Sequence, residues 1–348
     1  MNDVSPERIA ALANEFSISL SRSLKQIEEI NREARLLALN ARIEAGRASG
    51  STGAAFGVVA RAMGDLSRQT DRVATGLGQE SLESIRELQR ISDALVSTTR
   101  GVRLTDLALV NIDLIDRNLY ERSCDVRWWA TDRSAVDALT ERTPIAYRHV
   151  SERLGVILDS YTVYFDLVLC DLSGRVVANG RPMRYSSVGT DCASSAWFRS
   201  AMATRSGGEF GFEGVHQSNL VGGRRVLVYS AAVRQNGEAS GHIIGVLGIV
   251  FNWDALAQTV VEHTPLLEEE RDRTRVVITD ENRLILADTS KRQLVERLHL
   301  PEIQGLYSKP KGFVMVEDGD VRFCVAHAKA PGFETYTTGW HSLLIYRF

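Results

Sequence analysis

Residues 168–178 read VLCDLSGRVVA, and residues 277–287 read VITDENRLILA. Each stretch is a β-branched run, a turn built on an aspartate, and a second apolar run closing on an alanine. Asp171 and Asp280 lie 109 positions apart, and each stands seven residues before its alanine. One such hairpin is ordinary; two in the same register predict two related α/β units in tandem. From about residue 160 onward, short β-branched runs alternate with Gly, Asn, Asp and Ser turns. The expected sheets are antiparallel, because parallel strands need crossover helices that these spacings cannot hold.

Before residue 160 proline and glycine are rare and the apolar spacing is helical. Leu20, Leu24, Ile27, Ile30, Ala34, Leu37 and Ala41 follow one another in steps of 4, 3, 3, 4, 3 and 4. Val59, Met63, Leu66, Thr70, Val73 and Leu77 do so in steps of 4, 3, 4, 3 and 4. These are two helical stripes, the first opened by Ser5 as cap and Pro6 at the first helical position. SGSTG at residues 49–53 separates them, so the helices are expected to fold back as an antiparallel coiled-coil hairpin with its tip near 48–55. The phase slips around Gly76 and Gly78, where a soft point in the helix is expected. Helical spacing then continues to about Ile157.

Composition sets the outer bounds. The 348 residues carry a net charge of −3, with 44% hydrophobic and 24% charged residues. That suits a globular chain with a real core and gives no general reason to expect nucleic acid as a partner. The four cysteines form no CxxC pair, which fits free thiols in a reducing compartment. The longest apolar run, residues 243–251, is far short of a membrane span, and MNDVSPERIAALANEF lacks the pattern of an export signal. A cytoplasmic location is therefore expected.

The tip is the most specific segment. Leu36-Leu37-Ala38-Leu39-Asn40-Ala41-Arg42-Ile43-Glu44-Ala45-Gly46-Arg47, a turn, and Phe56-Gly57-Val58-Val59-Ala60 resemble the signalling tip of methyl-accepting chemotaxis proteins. In that family the tip of a dimeric four-helix bundle binds a histidine kinase and its coupling adaptor. The resemblance implies those partners here, a homodimer through a four-helix bundle, and a contact surface of Leu36, Leu39, Asn40, Glu44, Arg47, Phe56 and Val59. Small residues at Ala38, Ala41, Ala45 and Gly46 would let the helices approach closely, while Glu44 and Arg47 share a face at i and i+3. Arg35, Arg32, Ala62 and Gly64 depart from the family pattern, and the turn is one residue longer.

The remainder, about residues 103–348, resembles the Cache sensory domains, of the double, PAS-like kind. The carrying segments are 164–171, 174–178, Val188-Gly189-Thr190-Asp191, Trp197-Phe198-Arg199-Ser200-Ala201, 226–233 and 245–250. Gly332-Phe333-Glu334-Thr335-Tyr336 and Gly339-Trp340 close the second unit. By that resemblance a small molecule is expected between Trp197, Phe198 and Tyr229, with Asp191 and Arg184 beside them. The family's amino-acid-binding members carry an arginine where this chain has Ser195; Arg181, Arg184 and Arg127 are the substitutes at hand.

The fold expected is thus α+β: a helical hairpin over 1–100, a connecting helix over 101–160, a first Cache unit over 161–262 and a second over 263–348. The seven histidines show no HxxxH or HExxH pairing, and no nucleotide-binding or hydrolase motif occurs. No catalytic residue, metal or cofactor is expected. Two functions compete: a cytoplasmic chemotaxis-type sensory transducer, and a structural or interaction protein of receptor arrays with no small-molecule ligand. A filled interior behind Trp197 and Tyr229 would favour the second.

Overall fold

The computed structural model of the protein describes residues 6–47 and 51–348. The capping Ser5 and residues 48–50 of the expected turn lie outside them. The chain forms two compact units, Met1–Arg100 and Gly101–Phe348.

The first unit holds helix α1 (Pro6–Arg47) and the opening part of α2 (Ser51–Trp129). They run antiparallel: Asn31 faces Ser67, Leu24 faces Gly78, and Ala45 faces Gly57. Apart from Ile85, the seam is built from small and polar side chains. Ala60, Ser67, Gly78, Ile85 and Ser92 of α2 are buried, in steps of 7, 11, 7 and 7. Ala13, Asn31 and Ala38 answer them from α1. The 11-residue step is a heptad repeat with four residues inserted, which locally unwinds a coiled coil. This explains the phase slip seen in the sequence. The helix itself runs unbroken through Gly76 and Gly78. A side-chain carbon at Gly78 would lie 3.0 Å from Leu24 Cδ1, so glycine serves close approach.

One polar layer crosses this seam. Asn31 Nδ2 donates to the Ser67 carbonyl at 3.0 Å, and Ser67 Oγ donates to Asn31 Oδ1 at 2.5 Å. Arg35 extends the layer through an ion pair with Asp71 at 2.7 Å. A satisfied polar pair in an otherwise small-residue seam fixes helix register, because any slip leaves both groups unpaired.

The second unit begins within α2. Residues 101–160, expected as one connecting helix, form three: the end of α2, α3 (Arg133–Glu141) and α4 (Pro144–Ser160). Capping chemistry overrides the apolar spacing. Asp132 accepts from Ser134 N at 2.9 Å to start α3, and Arg142 ends it in the left-handed region. Thr143 then caps α4, with Pro144 at its first position.

Strands β1 (Tyr164–Cys170) and β2 (Val176–Asn179), helix α5 (Ala196–Met202), and strands β3 (Gly211–Ser218), β4 (Arg224–Arg234) and β5 (Ile243–Asn252) follow. After short helices α6 (Thr259–Glu262) and α7 (Glu268–Arg271) the pattern repeats. It gives β6 (Thr274–Thr279), β7 (Ile285–Asp288), α8 (Ile303–Tyr307), β8 (Lys311–Asp318), β9 (Val321–Lys329) and β10 (His341–Arg347). The two sheets run β2-β1-β5-β4-β3 and β7-β6-β10-β9-β8, all pairs antiparallel. The topology is the same, and the repeated aspartates sit in equivalent turns. Asp171 Oδ1 accepts from the Arg175 amide, and Asp280 Oδ1 from the Leu284 amide. The left-handed residue of each turn is Gly174 (φ 85°) in one and Arg283 (φ 67°) in the other.

Each sheet buries both faces. The inner faces meet α2, α3 and α4 in one large core that includes Leu104, Ile112, Leu119, Leu227, Phe251, Ile278 and Leu344. The outer face of the first sheet is covered by α5 and neighbouring loops, and that of the second by α8 and the segment before it. Trp253 stitches the two together, its indole N–H donating to the Leu286 carbonyl at 2.7 Å.

Candidate functional site

At the tip the small-residue seam decides which side chains face outward. Ala38 and Ala60 are buried, and Ala45 lies 3.9 Å from the position a Gly57 side chain would occupy. Helices this close leave no room between them for large residues. Leu36, Leu39, Phe56 and Val59 are therefore each more than half exposed. Asn40 is exposed as well. Glu44 and Arg47 pair at 3.1 Å on the open surface, where a lone ion pair contributes little to stability. All seven residues expected at the contact surface are thus solvent-facing. The apolar stripe continues down the hairpin through Ile30, Leu66, Val73, Leu77 and Leu88, all about half exposed or more.

The residues expected to share a ligand in the first sheet do not meet. Side chains alternate along β4, so Leu227, Tyr229, Ala231 and Val233 do share a face, but that face is the inner one, toward the helices. Trp197 and Phe198 open α5 and pack on the outer face with Val168, Val228 and Val250. The sheet separates them from Tyr229. Trp197 is 2% exposed, and a side-chain carbon on Gly248 would lie 3.0 Å from its indole. Its backbone is held too: Ser230 Oγ donates to the Trp197 carbonyl at 2.7 Å, and the Trp197 amide donates to Glu213 at 3.1 Å. The space behind the tryptophan is filled by packing.

Nor do the flanking candidates converge. Asp191 is exposed and accepts from the Ala193 amide at 2.8 Å in a local turn. Arg184 is exposed, its guanidinium 5.3 Å from the Tyr185 ring. Arg181 donates to the Leu158 carbonyl at 2.8 Å, and Arg127 to the Ser123 and Gly208 carbonyls. Those two arginines tie the backbone together.

The outer face of the second sheet is polar at both ends and apolar between. At one end the rings of His327, His341 and Tyr307 stack, with His327 Nε2 and His341 Nδ1 2.7 Å apart. Tyr307 also shares a 2.5 Å hydrogen bond with Thr279. Burial pushes His327 down to about 3 and His341 down to about 4, with the nearby Lys329 charge acting in the same sense. Leu343, Val277 and Val325 form the apolar middle. At the other end lies a cavity of about 350 Å³, lined by Arg273, Arg275, Arg347, Leu298, Phe323 and Ile345 among others. Sequence reading missed this cavity. The signal available was the basic run Arg271-Asp272-Arg273-Thr274-Arg275 leading into a strand, which reads equally well as a solvated strand start.

No protein-family model matches the chain, and neither does any curated protein sequence. Solved structures do share its fold. The ligand-binding domain of the Campylobacter jejuni chemoreceptor Tlp3, in complex with 4-methylisoleucine, superposes with a TM-score of 0.53 at 18% identity. That match covers 70% of this chain and 89% of the other. The Tlp3 sensory domain in a second structure gives 0.52 at 17% identity over 70% and 91%. The sensor domain of the V. cholerae histidine kinase DctB gives 0.53 at 14% identity over 70% and 95%. Long N-terminal helices followed by two antiparallel sheets therefore have the fold of chemoreceptor and histidine kinase sensory domains.

Proposed function

We propose that this protein is a chemotaxis-type sensory transducer, a sensor rather than an enzyme, acting in the cytoplasm. The sheet-bearing unit senses a small molecule, and the hairpin tip docks on a histidine kinase and its coupling adaptor. The observation that carries the reading is the tip surface: Leu36, Leu39, Phe56 and Val59 stand exposed around the Glu44–Arg47 pair. Large apolar side chains with a charged pair beside them are the makings of a protein contact. The exposed stripe from Ile30 to Leu88 supports a homodimer, since a second hairpin laid against it would complete a four-helix bundle. The fold shared with sensory domains supports the sensing half.

Calorimetric titration of the full chain with the adaptor tests this. Glu44→Ala/Arg47→Ala is expected to weaken binding about tenfold, or 1.4 kcal/mol, while the unfolding midpoint is unchanged. Equal affinity in the double variant would remove the tip from the contact. A second reading, a packing element of receptor arrays with no ligand, is favoured by one observation: the interior behind Trp197 is filled. Screening metabolite pools for thermal stabilisation separates the two, because a ligand at 100 times its dissociation constant adds about 2.7 kcal/mol.

A further inference from the structure

We propose that the cavity at the Arg273–Arg347 end of the second sheet binds a small monocarboxylate with an apolar body. The proposal rests on the sensor reading and places the ligand in the second unit rather than behind Trp197.

The charges around the cavity can be followed one by one. Arg275 is committed: its Nε and one terminal nitrogen donate to the buried carboxylate of Asp288 at 3.0 and 2.6 Å. Glu296 is committed as well, 2.9 Å from Arg292 and 3.6 Å from Arg275. Arg273 and Arg347 are different. They are neighbours, since the Arg347 amide donates to the Arg273 carbonyl at 2.9 Å. Both are exposed at the cavity, and among the described residues neither guanidinium has an ion pair or hydrogen bond. Cations carried on two neighbouring residues repel, and an anion between them relieves this. Asp272, also exposed at the rim, offsets one of the two. With His299, which also lines the cavity, taken as neutral, one net positive charge remains, which a monoanion balances.

The walls select further. Leu298, Phe323 and Ile345 present carbon surface, which inorganic phosphate cannot use and a hydrocarbon body can. The Thr289 hydroxyl oxygen accepts from the Val276 amide at 3.1 Å, leaving its own proton for an acceptor in the cavity. A planar carboxylate takes two parallel N–H bonds from one guanidinium. A cavity of about 350 Å³ falls at the lower end of ligand-sized pockets.

The test is calorimetric titration of the full chain with benzoate, hexanoate and inorganic phosphate, paired with thermal unfolding. Both carboxylates are expected to bind and raise the midpoint, while phosphate binds at least about tenfold more weakly. Arg273→Gln/Arg347→Gln is expected to lose the carboxylate response with an unchanged apo midpoint, because both side chains are exposed. No response to either carboxylate, a response that survives in the double variant, or phosphate binding equal to benzoate overturns the proposal. If the carboxylates fail while a metabolite pool still stabilises the chain, this site falls and the sensor reading stands. If nothing in the pool stabilises it, both fall.

Discussion

The hydroxyls of Tyr229 and Tyr336 meet at 2.5 Å, tying β4 of the first sheet to the loop that precedes the last strand of the second. Tyr229 is buried and Tyr336 half-buried, and desolvation pushes both phenols up, so each stays neutral and one donates to the other. Phe210 and Phe212 pack their rings against Tyr229, and Phe210 also reaches Tyr336. The tyrosine expected to wall a ligand is instead an internal strut.

Tyr229→Phe and Tyr336→Phe should each destabilise the sheet-bearing unit by about 1–3 kcal/mol, because each leaves one desolvated hydroxyl without its partner. The double variant should cost clearly less than the sum, with a coupling of about 1 kcal/mol in a double-mutant cycle. Tyr229→Ala should cost about 3–5 kcal/mol, as a deleted core aromatic does. Urea unfolding measures all four chains, and additive single effects would argue against the bond.

The His327–His341 pair makes acid stability predictable in sign. Both folded-state values lie below the ordinary 6.5, at about 3 and about 4. The unfolded chain therefore binds more protons between about pH 6.5 and 3. The pair's contribution is present above about 6.5 and is lost as pH falls toward 3. For His341 alone this amounts to on the order of 3 kcal/mol. Buried Asp116 and Asp166, whose carboxyls are pushed up by desolvation, act in the opposite sense. The readout is thus the difference between wild type and His341→Gln in urea midpoints across that window. Parallel pH curves for the two chains would rule the pair out as the cause.

In the hairpin, burial and size part company. Asn31→Ala should strand Ser67 in the seam and cost about 1–3 kcal/mol, while Leu36→Ala should change stability by under about 0.5 kcal/mol because Leu36 faces solvent. Hydrogen exchange of the α1 and α2 amides separates these local effects from the sheet-bearing unit. Equal loss of protection in both variants would mean that Leu36 is covered in the isolated protein.

Much of this architecture was legible beforehand because it is written in local periodicity. The Asp171 and Asp280 turns, the strands on either side, and the two helices of the hairpin all rest on contacts between residues close in sequence. What periodicity could not supply was direction. Of the stripes that read as a helix–helix seam, Leu24, Ile27, Ala34 and Met63 are half-buried beside it while Ile30, Leu37 and Leu66 face out, because small residues at Ala38 and Ala60 take the centre of the seam. Alternation placed Tyr229 correctly among its face-mates without showing which face met the helices. The Arg273–Arg347 cavity joins the two ends of the second unit's sheet sequence, a juxtaposition that only β6–β10 pairing creates. The breaks rest on the caps Asp132 and Thr143, which apolar spacing alone does not register.

Asp116 carries the last prediction. It is wholly buried on α2 and accepts three hydrogen bonds from the loop before β10. Its Oδ2 takes the Gly332 amide at 3.1 Å, while Oδ1 takes the Thr338 amide at 3.2 Å and the Thr338 hydroxyl at 2.6 Å. Burial pushes the carboxyl up, and the three donors oppose that without cancelling it. Asp116→Ala removes the acceptors and strands two amides and a hydroxyl, so the loop over residues 331–340 should open at a cost of about 2–4 kcal/mol. Asp116→Asn keeps one oxygen for Thr338 and turns an N–H₂ toward Gly332, so it should lose one bond and cost about half as much. Amide exchange read at Gly332 and Thr338 is the direct measurement. The expected order of protection is wild type, then Asn, then Ala, and an alanine variant that protects both amides as well as wild type would show the loop is held by packing instead.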